Sequence, residues 1–252
     1  MKRIDFDREV PSRQATTQAV VLAGGLGRRL GPLVGHGNKP MVQVAGKPFL
    51  EYLLLHLKKY GVTRIILCVG YRGHVIHDYF GSGGAWGLDL TYSWERDLLG
   101  TAGALRLALP AIEDKAFFVV NGDSFFDVDL RALAHHHVSL HALATLALVH
   151  VTDASRYGTV LCSDDGAVSS FVEKGRHTGS AVINAGVYML EPGVLHSIPS
   201  GRAVSLEREV FPSLIGKHFF GMPGSGYFVD IGVPDDCTHL QADPNRLLQS
   251  VA

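Results

Sequence analysis

Leu22-Ala23-Gly24-Gly25-Leu26-Gly27-Arg28-Arg29-Leu30 follows without a break on the apolar run Ala19 to Ala23. Glycines at such a point let the backbone approach a ligand closely and aim successive N–H groups at an anion. Arg29 closes the loop, and Lys39 follows in Asn38-Lys39-Pro40. A guanidinium fork and an ammonium point charge together suit a ligand with several phosphate oxygens. A dinucleotide fingerprint is excluded, because Leu30 stands where its third glycine belongs and the next apolar run ends at Gly70 without an acid for a ribose. A Walker A loop is absent. Alone, the glycine cluster would fit a ligand-free turn equally well; the cations at the same strand end favour the anion site.

Two aspartates also stand just past apolar runs, Asp123 in Val119-Val120-Asn121-Gly122-Asp123 and Asp230 in Phe228-Val229-Asp230-Ile231-Gly232. An isolated Asp more often caps a turn or a helix. Beside a phosphate-type loop, two such carboxylates could complete the shell of a hard cation together with phosphate oxygens. Glu173 and Lys174 end another apolar run, and Asn184-Ala185-Gly186 lies in the next. Glu173 and Asn184 could hydrogen-bond sugar hydroxyls, and Lys174 could meet a phosphate. Glu95, with Gly100-Thr101-Ala102-Gly103 after it, marks a second loop of close approach. Its carboxylate could accept both N1–H and N2–H of guanine, or the single N3–H of uracil. His135-His136-His137 lacks the i,i+4 spacing of a helical metal site and is expected to decorate a solvated helix end.

These residues need a scaffold that delivers them to one place. The chain has 252 residues, 46% hydrophobic and 19% charged, which excludes intrinsic disorder. Its 23 basic and 24 acidic residues nearly cancel, so bulk charge gives no case for nucleic-acid or membrane-surface binding. Cys68, Cys162 and Cys237 are far apart, without a CxxC pair, which suits a reducing cytosol and argues against a zinc site or a disulfide framework. The first residues lack the apolar core of a signal peptide, and no run approaches the ~18–20 apolar residues of a membrane helix. The expectation is a cytoplasmic protein with a flexible extension over 1–17 and a single domain over 18–252.

Strand-like runs (19–23, 64–69, 88–94, 116–120, 143–151) alternate with helical patterns at 49–60, 74–80, 101–108 and 129–137. Such alternation predicts a Rossmann-like α/β fold of three layers around a mostly parallel sheet. Further strands are expected at 158–161, 168–173, 181–190 and 227–230, adding antiparallel pairing in the second half, with one closing helix over 234–249. In open α/β sheets ligands lie outside the carboxyl ends of the strands. The candidate residues follow strands accordingly.

In this order the motifs resemble those of the sugar-1-phosphate nucleotidyltransferases. The matches are Leu22 to Leu30 with Lys39-Pro40, Leu99 to Leu105 (LGTAGAL), Asn121 to Asp123, Phe171 to Lys174, Asn184 to Gly186, and Asp230 to Gly232. The absence of C-terminal β-helix repeats is similar to the heptose 1-phosphate guanylyltransferases among them. Departures occur at Arg28, Asn38, Gly175, Phe228 and Val233, none of which removes a charged residue of the proposed chemistry. The resemblance implies a nucleotide-diphospho-sugar transferase fold and transfer of a nucleoside monophosphate from an NTP, GTP for preference, to a sugar 1-phosphate, with Mg²⁺ as cofactor. It further implies that Leu22, Ala23, Gly24, Gly25, Gly27, Arg29, Glu95, Gly100, Thr101 and Asn121 meet the nucleotide. Gly122, Glu173, Lys174, Asn184 and Gly186 meet the sugar, Asp123 and Asp230 hold the metal, and Arg29, Lys39, Asp123, Lys174 and Asp230 carry the reaction. Mannose-1-phosphate guanylyltransfer, glucose-1-phosphate uridylyl- or thymidylyltransfer, and an inactive nucleotide-sugar sensor are the alternatives; a homodimer is left open.

Overall fold

The computed structural model describes residues 16–25, 38–172 and 178–252. The extension expected over 1–17 lies outside them apart from Thr16 and Thr17, as do Gly27, Arg29, Glu173 and Lys174.

In chain order the main elements are β1 (Gln18–Leu22), α1 (Phe49–Lys59), β2 (Arg64–Val69), α2 (Gly73–Phe80), β3 (Asp89–Trp94) and α3 (Gly100–Ala108). There follow β4 (Phe117–Asn121), β5 (Ser124–Phe126), α4 (Leu130–Ser139), β6 (Ala144–Val151), β7 (Thr159–Cys162), β8 (Val168–Val172) and β9 (Ala181–Leu190). The chain closes with β10 (Phe219–Gly224), β11 (Phe228–Asp230), α5 (Pro234–Ala242) and α6 (Asn245–Val251).

Seven strands lie side by side in the order β3-β2-β1-β4-β9-β6-β10. The β1–β2, β2–β3, β1–β4 and β6–β10 pairs are parallel, and β9 runs antiparallel to both of its neighbours. Strands β7 and β8 form an antiparallel pair, joined to the sheet where Thr159 pairs with Ile183 of β9. The sheet is mixed and mostly parallel, as the alternating pattern predicts.

Period-two alternation explains why the sheet is covered on both faces. Ala19 and Val21 point into one apolar core, with Ile65 and Leu67 beside them, while Val20 and Ile66 point into a second. The first core receives the buried stripe of α1 (Phe49, Leu50, Leu53, Leu54, Leu57) and Leu240 and Leu247 of the closing helices. The second receives Ala104, Leu105 and Ala108 of α3 and a helical segment ending in Phe211 and Leu214. Helix α1 stops at Tyr60, where Gly61 adopts φ +83°, and Pro48 is its N-cap rather than a first-turn residue.

Two local expectations are corrected, and two further strands appear that the sequence pattern does not announce. The closing helix is two helices, because Pro244 lacks an N–H and holds Asp243 out of the helical region, at φ −135° and ψ 84°. Strand β10 contains Pro223 and two glycines, which hide it in the sequence; its ladder runs along β6 alone, and an edge position tolerates a missing donor. The three-residue β5 is too short to show a period. His137 does not sit in solvent: it is 2% exposed and its Nδ1 lies 2.9 Å from Thr145 Oγ1.

Burial, reinforced by neighbouring His136, pushes the His137 imidazole down to about 4. The unfolded chain therefore binds the proton first, near pH 6.5, and stability is present above that pH and lost as pH falls toward 4. Over this window the full shift is worth up to ~3 kcal/mol. Denaturant unfolding of His137→Gln between pH 7 and 4 is expected to show a flatter decline than the parent.

Candidate active site

The carboxyl ends of β1 and β4 open into a cavity of about 690 Å³. Of the residues singled out in the sequence, Leu22, Ala23, Gly24, Gly25, Lys39, Glu95, Gly100, Thr101, Asn121, Asp123, Asn184, Gly186 and Asp230 line it. Gly122 is not among the lining residues; its N–H donates to Leu22 O at 3.0 Å. A Cβ there would stand 2.7 Å from that carbonyl, so the two strand ends meet only because position 122 has no side chain. On the other side of β1, Ala23 N donates to Cys68 O at 2.9 Å. Gly24 faces Glu95: a Cβ on Gly24 would lie 2.6 Å from Glu95 Oε1.

A two-stranded ribbon brings the two aspartates to one cavity. Strands β5 and β11 pair antiparallel with Asp230 opposite Ser124, and Ile231 N donates to Asp123 O at 2.9 Å. Lys39, carried on a single 3-10 turn containing Pro40, places its Nζ 2.5 Å from Asp123 Oδ2. The lysine side chain is 12% exposed and that of the aspartate 42%, so the ammonium is sheltered while the carboxylate keeps an open side. Asp230 Oδ1 accepts the Gly232 N–H at 2.6 Å, which fixes the direction of that carboxylate. Among the described residues no three His, Cys, Asp or Glu groups gather as a metal site by themselves. Two carboxylates on one cavity wall nevertheless fit a hard divalent cation that takes its remaining oxygens from phosphate and water.

Asn184 is delivered by an irregularity in β9. The register of β9 against β6 shifts between Asn184 and Tyr188, and Gly186 inside the shift has φ +77°. Asn184 Oδ1 accepts the Gly186 N–H at 2.9 Å, and its Nδ2 donates to Tyr188 Oη at 2.9 Å. Half of this amide is thus engaged in shaping its own strand. Asn121 Oδ1 is buried and has no partner among the described residues.

Beside Gly24, Glu95 Oε2 accepts Leu99 N at 3.1 Å. Burial pushes the Glu95 carboxyl above its ordinary value, and that hydrogen bond pulls part of the way back. Tyr157, pushed up to about 12 by burial and then by the charge of Asp230, also lines the cavity, packed edge-on against Phe228 at 5.7 Å. Tyr157, Ser205, Glu207 and Arg208 line the cavity without having stood out in the sequence. The Ser205-Leu206-Glu207 triplet ahead of an apolar run would have marked a helix start, but nothing in it points to a cavity.

Residues 18–245 match the nucleotidyl transferase family. The chain belongs to this family. The chain is 37% identical over 227 residues to the D-glycero-alpha-D-manno-heptose 1-phosphate guanylyltransferase of Aneurinibacillus thermoaerophilus, covering 90% of this chain and 97% of that one. It is 39% identical over 228 residues to the mannose-1-phosphate guanylyltransferase of Mycobacterium tuberculosis, covering 89% of this chain and 64% of that protein. Among solved structures, HddC from Yersinia pseudotuberculosis complexed with GMP-PN superposes with a TM-score of 0.79 at 34% identity, over 91% of this chain and all of the other. No helix among the described residues of this nucleotidyl transferase is long and apolar enough to cross a membrane.

Gly186 is an exacting backbone position of the site. Its φ is one that residues with a Cβ rarely adopt, and a Cβ would lie 2.6 Å from Ser124 Oγ and 2.8 Å from Asn121 Nδ2. Gly186→Ala is expected to lower unfolding free energy by ~2 kcal/mol or more and to cut turnover with it, checked by urea titration and a product assay.

Proposed function

We propose that the chain transfers a nucleoside monophosphate from an NTP, GTP for preference, to a sugar 1-phosphate and releases pyrophosphate. D-glycero-α-D-manno-heptose 1-phosphate is the first choice of acceptor, and the product is a nucleotide sugar for polysaccharide synthesis in the cytoplasm. The observation that carries this reading is the meeting of Asp123, Asp230 and Lys39 in one cavity with Gly24 and Gly25. The heptose and GTP choices rest on the Aneurinibacillus and Yersinia relatives. The Mycobacterium relative supports mannose 1-phosphate as the second acceptor.

A phosphate monoester has a second pKa of about 6, so the acceptor is already mostly dianionic at neutral pH. No general base has to be found; the task is to bring two anions together and to stabilise charge on the leaving pyrophosphate. The glycine backbone at 24, 25 and 27 would cradle the triphosphate, and Arg29 would neutralise it. Lys39 would neutralise the α-phosphate region, Lys174 would meet the sugar phosphate, and Glu173 and Asn184 would orient the sugar. Mg²⁺, held by Asp123 and Asp230, would supply the positive charge that the carboxylates themselves remove. Glu95, beside Gly24, would read the base, since an ionised carboxylate can accept two N–H groups of guanine but only one of uracil.

A matrix of four NTPs against heptose, mannose and glucose 1-phosphates, read by pyrophosphate release, tests the reading. GTP with heptose 1-phosphate is expected to lead, and no release in any well would overturn the proposal. Asp123→Ala should lower turnover by ~10²-fold with the fold intact by circular dichroism. Glu95 must be ionised to accept from the base, and its pKa is raised, so KM for GTP should climb as pH falls toward that pKa. Glu95→Gln should flatten this pH profile and erode the preference for GTP over UTP.

A further inference from the structure

The loop that carries Leu99, Gly100 and Thr101 is stitched to a segment 105 residues away in sequence. Val204 N donates to Leu99 O at 2.9 Å, and Ala102 N and Gly103 N donate back to Val204 O at 2.9 and 3.3 Å. The Ala102 and Gly103 amides in the first turn of α3 are therefore occupied by a carbonyl and are not offered to a phosphate. The approach is as close as a backbone allows: Gly100 has φ +68°, and a Cβ on it would lie 2.6 Å from Val204 O.

Side chains complete the seam. Leu206 N donates to Thr101 Oγ1 at 2.8 Å, and the Thr101 hydroxyl donates to Glu207 Oε2 at 3.0 Å. Ser205 Oγ donates to the same carboxylate oxygen at 2.9 Å while accepting Arg208 N at 3.2 Å. Both hydroxyls thus have their proton and a lone pair engaged. Glu207 lies in the first turn of a wide π turn over Leu206–Val210, a backbone form often placed where function needs it. At its other end the same loop supplies Leu99 N to Glu95 Oε2. Hydrogen bonds at Thr101 and at Leu99, joined by the two peptide bonds between these residues, therefore connect Glu207 to Glu95.

We propose that Glu207 is a positioning residue for the nucleotide: acting through Thr101, its carboxylate locks the Leu99–Gly103 loop and so sets the orientation of Glu95. This rests on the nucleotidyl-transfer reading above. Without Glu207 the Thr101 hydroxyl loses the acceptor for its proton and can turn away from Leu206 N, which frees the loop on the nucleotide side. The consequence falls on nucleotide binding and not on the phosphoryl-transfer step.

The test compares E207A, E207Q and T101V with the parent, by calorimetric Kd for a non-hydrolysable GTP analogue and by kcat and KM for GTP. E207A is expected to raise Kd and KM about tenfold with kcat within about twofold. E207Q, whose amide oxygen can still accept both hydroxyls, should return near parental values. T101V should match E207A, and the double variant T101V/E207A should be no worse than either single one. The proposal is overturned if E207Q is as impaired as E207A, since the charge would then act on the reactants. It is equally overturned if kcat falls with Kd unchanged, or if the two substitutions add. Should E207A not fold, E207D, whose shorter side chain draws the carboxylate away from Thr101, decides on the same criterion, weakened binding with kcat held. A parent protein that binds no nucleotide overturns both readings, whereas normal binding by E207A overturns this one alone.

Discussion

Lys39 places its ammonium 2.5 Å from Asp123, and the electrostatics of the cavity depend on that contact. Four carboxylates line the cavity, Glu95, Asp123, Glu207 and Asp230, against two cations among the described residues, Lys39 and Arg208. Two like charges 4 Å apart repel by about 4 kcal/mol at an effective dielectric near 20. Among the described residues negative charge is in surplus, so under the proposed function a triphosphate and a phosphate monoester need further positive charge, from Arg29 and Lys174 as well as from a divalent cation. In the proposed function Asp123 and Asp230 are the seats for that cation, and Lys39, in contact with Asp123 Oδ2, is the resident charge that aims this carboxylate. The glycine backbone beside them adds dipoles without adding bulk.

The fold supplies this arrangement by letting strand ends and one ribbon converge. Strands β1 and β4 bring Leu22 to Gly25 and Asn121 to Asp123 side by side through parallel pairing. The β5–β11 ribbon then returns Asp230 to the neighbourhood of Asp123 from more than a hundred residues along the chain. The second half of the molecule reaches the same cavity through β9, whose first half pairs with β7 and whose second half pairs with β4. Leu22, Asn121 and Asn184 thus hang from one continuous sheet, and Asp230 from the separate ribbon beside it.

Elements with a clean period were legible in the sequence. The run 64–69 and the run 181–190 appear at the expected limits, because their apolar side chains are buried on both faces and Asn184 alone breaks the second of them. Strand β10 was not legible, since its place is won by pairing with β6 in spite of Gly221 and Pro223. His137 reads as a surface residue because a histidine run looks polar; its burial against Thr145 depends on where β6 passes α4. The glycine loop and the strand-end acids were legible as chemistry, but that Asp123 and Asp230 face one cavity follows from a three-residue ribbon without a sequence signature. Ser205 and Glu207 were illegible for the same reason: they read as an ordinary helix start until the seam to Thr101 is seen.

The register shift in β9 has a consequence for how this chain can change. Side chains in a strand alternate between faces, so adding or removing one residue on either side of Gly186 would exchange every inward and outward position beyond it. Asn184 would turn away from the cleft, and Met189 and Tyr188 would trade the two apolar cores they now fill. Point substitutions along this strand can be absorbed one at a time, but its length is quantised, and insertions or deletions should be confined to the turns at either end.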